Sequence, residues 1–424
     1  MPEPSLVSPG LDDVAATVAT TAETFVYAYP VLRALEVLHE EVVSGGRPFN
    51  VLLPEPEDAS GAGRSWADPA VLRCSAWLHL GAGPVVVGHP ALPPRRFVSL
   101  QLVDLMAHPV AELGTATTGG DAHRWVVAGP RWGGPLPEGL PVLRAQSEIV
   151  HLTALTTLAG ADDLDEAWSL TQRYEVRPAA HVAGATPETP MPAPAWDDAR
   201  ARGADFGDYL EAVLTVSSPS HPDERALLQR WRGLGSAGHD ASHRTLLTRG
   251  AALGAARLHD ALARDPDVEL ADPAGWSSDA LLARAARAAT DPFTSAQGSV
   301  MTLRLPPIGE DPPRGHRRRR LTFAADGMPP ARTWSISLCH APSGDPVRSP
   351  GHQDWISPLT PGLVLGPDGS LVVRIQHDEP TDPADRANWL RAPAGAYCVV
   401  VRLYGPAPAA QHGEWRPPTL RTVE

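Results

Sequence analysis

Apolar residues recur at helical spacing over residues 11–43, through Phe25, Val26, Tyr29, Leu32, Leu35 and Leu38, which predicts one long helix. Pro30 lies inside it, and its missing N–H predicts a kink or a break. Over 72–143 the period shortens to two. Apolar runs at 76–80, 84–87, 97–102 and 125–127 alternate with Gly/Pro turns, as strands do. Helical spacing returns over 163–174, 208–214, 222–233, 242–263 and 277–289, with a Pro/Ala-rich stretch at 182–196. A second set of strands is predicted from about residue 300, at 321–324, 334–339, 371–377 and 397–404.

This order predicts a mainly β protein with α: two antiparallel β-sandwich domains, jelly-roll-like, joined by a helical connector and preceded by an N-terminal helix. The boundaries read as helix 11–45, first β domain 46–160, connector 161–298 and second β domain 299–424.

Several short motifs stand in register with this plan. Asn388-Trp389-Leu390-Arg391-Ala392-Pro393, Tyr397 to Pro406, and Gly413-Glu414-Trp415-Arg416-Pro417-Pro418 close the chain. Upstream lie Tyr27-Ala28-Tyr29-Pro30, Ser75-Ala76-Trp77-Leu78, Gly83-Pro84-Val85-Val86, Ser99-Leu100-Gln101-Leu102-Val103-Asp104, Gly114 to Gly119, Gly160-Ala161-Asp162-Asp163-Leu164 and Ile375-Gln376-His377-Asp378. Together these resemble the DUF1254/DUF1214 tandem-domain family, with its "YGYP", "SAWLDL", "SVQLLD", "GTRTTG", "GPDDL", "IQHD" and "NWLPAP" elements in that order. The resemblance implies the two-domain plan and lends no reaction. The chain also departs from the pattern. Where the family carries Asn-x-Asp-Thr-x-Tyr before "SAWLDL", it has Asp68, Ala70, Val71 and Arg73. His79 replaces the Asp of "LDL", Ala116 the arginine of "GTRTTG", and Leu155 the arginine before "GPDDL". The "NP-x-NRYS" segment is rewritten around residues 349–355. Polar positions are thus rebuilt while Gly, Pro and Trp positions stay, which implies a changed substrate or a lost activity.

Composition narrows the chemistry. All 36 basic residues are arginines. Without lysine there is no Schiff base, Walker A cation or Ser-Lys dyad. The bias fits a GC-rich genome of the actinobacterial kind. A net charge of −13 argues against nucleic acid and anionic membranes as partners. The basic run at 314–320 reads as a strand edge or an oligomer contact, and a homo-oligomer is expected. No apolar stretch reaches membrane-spanning length, and residues 1–10 lack a secretory pattern, so a cytoplasmic location is expected. Cys74, Cys339 and Cys398 sit apart in apolar runs and read as buried free thiols.

The candidate chemistry lies in the first β domain. Strand alternation puts Arg73, Ser75, Trp77 and His79 on one face, which is either a solvent face or a pocket lining. Asp104 and His108 read as an orienting carboxylate with a general base, or as a turn cap with a loop histidine. The candidate catalytic residues are therefore His79, Asp104 and His108. Arg73, Trp77, Gln101, Glu112, Thr115 and Thr117 are candidates for substrate binding, although the threonines also suit a tied-down Gly-rich turn. Asp162 to Glu166 superficially resembles a magnesium motif but suits an acidic helix start better, and His239 with His243 has zinc-pair spacing without a third ligand. No metal and no cofactor are expected. Two functions follow as expectations. One is a cofactor-independent acid–base enzyme (lyase, hydrolase or isomerase) on a small, largely apolar molecule, in specialised metabolism. The other is a non-catalytic small-molecule-binding or scaffold protein that kept the fold.

Overall fold

The computed structural model describes residues 11–55, 67–179, 194–235, 241–264, 276–293, 299–305, 312–341 and 343–423. The chain opens with helix α1 (Leu11–Leu38), which widens into a π-helical turn at His39–Ser44. Strands β1 (Leu53–Pro54), β2 (Val71–His79), β3 (Val85–His89), β4 (Val98–Asp104), β5 (Pro109–Gly114), β6 (His123–Ala128), β7 (Val142–Arg144) and β8 (Ile149–Thr157) follow. Next come α2 (Leu164–Thr171), β9 (Glu175–Pro178), α3 (Asp198–Ala201), α4 (Phe206–Thr215), α5 (Pro222–Gly235), α6 (Ala241–Arg264) and α7 (Ser278–Thr290). The second β region holds β10 (Val300–Leu305), β11 (Arg319–Phe323), β12 (Ala331–His340), β13 (Trp355–Ile356) and β14 (Leu371–Gln376). It ends with α8 (Pro383–Ala387), β15 (Trp389–Arg391), β16 (Tyr397–Pro406), α9 (Pro408–Gln411) and β17 (Arg421–Thr422). Among the described residues no helix is long and apolar enough to cross a membrane.

In the first domain a sheet of order β1-β2-β8-β4-β5 packs on one of order β7-β6-β3-β9. The shared core takes Cys74, Ala76 and Leu78 from β2, Leu100 and Leu102 from β4, and Val85, Val87 and Val127 from the opposing sheet. In the second domain the orders are β10-β16-β12-β13 and β15-β14-β11-β17, around Leu321, Ile336, Val373, Val399 and Val401. The pairing is antiparallel except for β6 with β7 and β14 with β15, which run parallel. The arginines Arg319 and Arg320 begin β11 beside the short β17.

α1 is the axis of the helical layer. It packs against α4, α5, α6 and α7, so the helices before and after the first β domain form one bundle. Pro30 sits inside α1 without ending it; it withholds one N–H from the Val26 carbonyl. Gly250 and Gly254 of α6 let that helix press onto α1. A Cβ at Gly250 would come within 2.4 Å of Thr21 Cβ, and one at Gly254 within 2.8 Å of the Ala22 carbonyl oxygen. The bundle lies on the outer face of the five-stranded sheet, where Trp77, Val103, Met106 and Ile149 join its core. The sheet is therefore covered on both sides.

Candidate functional site

That double cover decides where the expected site residues go. Arg73, Ser75, Trp77 and His79 do share a face, and among the described residues it meets the segment that follows α1 and the residues just after α7. Trp77 is fully buried, donates its indole N–H to Glu41 Oε2 at 2.9 Å and meets His151 and Phe293 edge-on. Arg73 bonds Glu55 and Asp291. Ser75 accepts from Arg47 at 2.9 Å. His79 lies against Phe49 and feels Glu148, with its backbone N–H donated to Asn50. Burial holds the His79 imidazole below its ordinary pKa. Gln101 and Ser99 both donate to Glu112 Oε1, at 3.3 and 2.6 Å. Thr115 Oγ accepts the Val98 N–H, and Thr117 is exposed in a turn tied by Thr118. Most of these side chains find local partners, although His79 Nδ1 is buried with no hydrogen-bond partner among the described residues. The structure does not bring them together with Asp104 and His108.

Asp104 and His108 face each other across the β4–β5 hairpin. The Asp104 N–H donates to the His108 carbonyl at 2.9 Å, and the Ala107 N–H donates to the Asp104 carbonyl at 2.8 Å. Ala107 adopts φ 57°, the left-handed residue that a three-residue hairpin loop requires. Asp104 Oδ1 accepts the backbone N–H groups of Met106 and His108, each at 3.0 Å. So Asp104 does cap the turn, yet its Oδ2 is buried with no hydrogen-bond partner among the described residues.

Helix packing adds residues that the sequence did not single out. α5 begins at Pro222; the His221 Nδ1 accepts the Asp223 N–H at 3.3 Å as an N-cap would. Glu224, in the first turn, is fully buried. Its Oε1 accepts Tyr27 Oη from α1 at 2.8 Å and lies 3.4 Å from His108 Nε2, while its Oε2 has no hydrogen-bond partner among the described residues. Both His108 ring nitrogens are likewise buried without a hydrogen bond. Trp276 roofs the group: His221 stacks on it with ring centroids 4.8 Å apart, His108 and Tyr27 stand at 5.9 and 6.1 Å, and the Arg284 guanidinium lies 5.4 Å over its ring. The site is graded, from Glu224 with no exposed side chain to His221 with 45% exposed.

Burial dominates the electrostatics. It pushes the Asp104 carboxyl up to about 7, against the two backbone N–H donors that favour the anion. It drives His108 down to about 3, helped by the Arg284 and His221 charges. Glu224 is raised for the same reason, and Tyr27 is raised by burial and by Glu224 beside it. Near neutral pH, Asp104 is poised to give or take a proton, and His108 is a neutral ring. The expected roles are therefore exchanged: the carboxylate bonds the histidine backbone rather than orienting its ring, and the carboxylate is the better proton carrier. The sequence offered only weak signals: Tyr27 lies within the apolar run around Phe25, Val26 and Ala28, and Glu224 follows a His-Pro helix start.

A second buried polar cluster joins the domains. Tyr404 bonds Asp68, and its hydroxyl meets Ser335 Oγ at 3.1 Å. Arg402 donates to Ser337 Oγ at 3.1 Å and faces Asp68 Oδ1 at 3.5 Å. Trp355 packs with Ala70, Leu158 and Ala167. Several departures from the family pattern thus meet at this junction. Asp163 is bound by Arg96 at 2.6 and 2.8 Å, and Arg96 holds its carboxyl below the ordinary range despite burial. His239 lies outside the described residues, so its pairing with His243 is not described. The three cysteines are buried free thiols, and burial pushes Cys74 and Cys339 up to about 11, which makes them poor nucleophiles.

The profile of the family described as "Protein of unknown function (DUF1254)" matches residues 50–178, and that of "Protein of unknown function (DUF1214)" matches residues 309–408. The chain belongs to the DUF1254/DUF1214 tandem-domain family. The crystal structure of a protein from Vibrio parahaemolyticus is similar, with a TM-score of 0.75 at 18% identity over 96% of this chain and 100% of that one. That likeness establishes a shared fold. A putative uncharacterised protein from Burkholderia cenocepacia aligns at 12% identity and a TM-score of 0.45, over 97% and 95% of the two chains. No curated protein matches the chain. Within the tandem-domain plan, the Asp104 site lies where the DUF1254 sheet meets helices that the two profiles leave unmatched, apart from the hairpin itself.

Proposed function

We propose that this tandem-domain protein is a cofactor-independent acid–base enzyme acting on a small, largely apolar organic molecule, by a lyase, hydrolase or isomerase step in specialised metabolism. Asp104 carries the proton, through the Oδ2 that the hairpin leaves unengaged. Glu224, held by Tyr27, is the second acid or base. His108 donates or accepts a hydrogen bond as a neutral ring. The single observation behind this reading is that Asp104 Oδ2, Glu224 Oε2 and both His108 nitrogens are buried together without hydrogen-bond partners among the described residues. Such groups are costly unless something else satisfies them. Two carboxyls raised by a shared apolar wall suit proton transfer near neutrality.

The non-catalytic scaffold reading draws on the domain junction, where Asp68, Arg402, Tyr404 and Ser337 satisfy one another and tie the two β domains together. Incubating the purified protein and its Asp104→Asn and Glu224→Gln variants with a metabolite library, followed by mass spectrometry, separates the two. The expected result is a compound consumed by the wild type and spared by both variants. A compound that binds tightly and is recovered unchanged would overturn the catalytic reading.

A further inference from the structure

The acid–base reading leaves one charged group in the site without a task. Arg284, on α7, reaches the hairpin and donates from Nη2 to the Met106 carbonyl at 3.3 Å. Tyr27, Glu224 and Asp104 are close enough for their charges to act on it, yet among the described residues no carboxylate lies within ion-pair distance of its guanidinium. Three other inward-turned guanidiniums behave differently. Arg73 meets Glu55 and Asp291, Arg96 meets Asp163, and Arg402 meets Asp68. A guanidinium offers five N–H donors in a planar fork, and one carbonyl engages one of them. Among the described residues its other N–H groups make no hydrogen bond, and the guanidinium lies over Trp276, the ring that also meets His108.

Resting on the acid–base reading of this same site, we infer that its substrate carries a carboxylate, which the Arg284 guanidinium binds while the indole of Trp276 covers the apolar body. The fork matches the two oxygens of a carboxylate, and such paired charge-assisted bonds are among the stronger polar contacts. Stacking by His221 fixes the Trp276 ring as a flat wall. A permanent cation in the site disfavours an amine as the anchored group. An anchor at Arg284, whose charge interacts with those of Asp104 and Glu224, keeps the bound molecule near both carboxyls.

The test is direct binding by calorimetry to a graded series of simple carboxylates, from acetate through benzoate to 3-phenylpropanoate, each with its matched amide and amine. Carboxylates are expected to bind at least tenfold more tightly than the amides, with affinity rising as the apolar body grows. Arg284→Gln should remove that preference and leave amide binding unchanged. The wild-type series decides the matter even if this variant does not fold. Equal or tighter binding of amides or amines, no binding of any carboxylate, or benzoate binding that survives Arg284→Gln would each overturn the inference. The acid–base reading fails separately: Asp104→Asn should still bind benzoate, and turnover retained in that variant would sink the catalytic role without touching the anchor.

Discussion

Replacing Asp104 by asparagine should make this protein relatively more stable as pH rises, because the wild type pays to ionise a buried carboxyl. The folded-state pKa is raised from 3.8 to about 7, chiefly by burial. A raised carboxyl contributes stability that is fully present below the unfolded pKa and is lost as pH rises through the folded one. At about 1.4 kcal/mol per pH unit, the whole loss is about 4 kcal/mol. Roughly 3 kcal/mol of it falls between pH 4.5 and pH 8. In the Asp104→Asn variant the amide oxygen would still accept from the Met106 and His108 N–H groups. The substitution would also place an amide NH2 where Oδ2 now has no partner, a pH-independent cost of about 1–3 kcal/mol. The absolute difference at one pH is therefore a poor readout, and its slope is the informative one. Urea unfolding of both proteins at intervals from pH 4.5 to 8 gives that slope, since titrating groups that do not interact with Asp104 cancel in the difference. The variant should gain about 3 kcal/mol on the wild type across this window. A difference constant to within about 1 kcal/mol would refute the claim that Asp104 holds its proton near neutrality.

Four further outcomes follow from the same geometry. Ala107→Gly relieves a left-handed alanine at a strain of about 1–2 kcal/mol and gives back part in chain entropy, so a net gain of about 0.5–1 kcal/mol in thermal or urea unfolding is expected. Gly250→Ala gains about 1 kcal/mol of helix propensity but drives a methyl into Thr21, so unfolding should show a net loss of about 1–2 kcal/mol and loosened packing of α6 on α1. Tyr27→Phe leaves Glu224 Oε1 without its donor and should cost about 1–3 kcal/mol, a loss that a Glu224→Gln background reduces in a double-mutant cycle. Arg402→Met leaves Asp68 buried without its cation and should cost about 3–5 kcal/mol at pH 7, measured by urea unfolding.

The helix, β, helix, β order was legible because each long element is amphipathic or strictly alternating. α1, α5, α6 and α7 run close to their predicted spans, β12 and β16 contain the predicted strands, and β2, β4 and β14 overlap all but one residue of theirs. β8 was not singled out, for a physical reason: Ile149–Thr157 is the central strand and is buried on both faces, so His151 and Thr153 stand toward the helices where polar alternation would signal solvent. The same double cover engages Arg73 with Glu55 and Asp291 and Trp77 with Glu41, partners that a period-two pattern does not reveal. Asp104 and His108 could be picked out because two titratable groups end an apolar strand. Their partners could not. Tyr27 and Glu224 are 197 residues apart, and no periodicity within either helix says which of its polar groups turns inward to meet the other.

The two buried polar clusters differ in a way that bears on function. At the domain junction the charged and hydroxyl groups answer one another: Asp68 meets Tyr404 and Arg402, Arg402 meets Ser337, and Tyr404 meets Ser335, while the Trp355 indole nitrogen alone is left over among them. Such a closed network resists rearrangement and offers nothing to a ligand. Under Trp276 the count does not close. Among the described residues Asp104 Oδ2, Glu224 Oε2 and both His108 nitrogens are left over, and Arg284 has no acid within ion-pair distance. A fold seldom keeps so many unanswered groups in one place without a use for them, because each costs stability that apolar side chains of similar volume would not. The strained Ala107 in the turn that presents Asp104 and His108 adds to that cost at the same spot. Stability is thus given up at the seam between the five-stranded sheet and the helical bundle, and kept at the junction between the two β domains. That asymmetry favours the seam as the place where a small molecule is bound and changed.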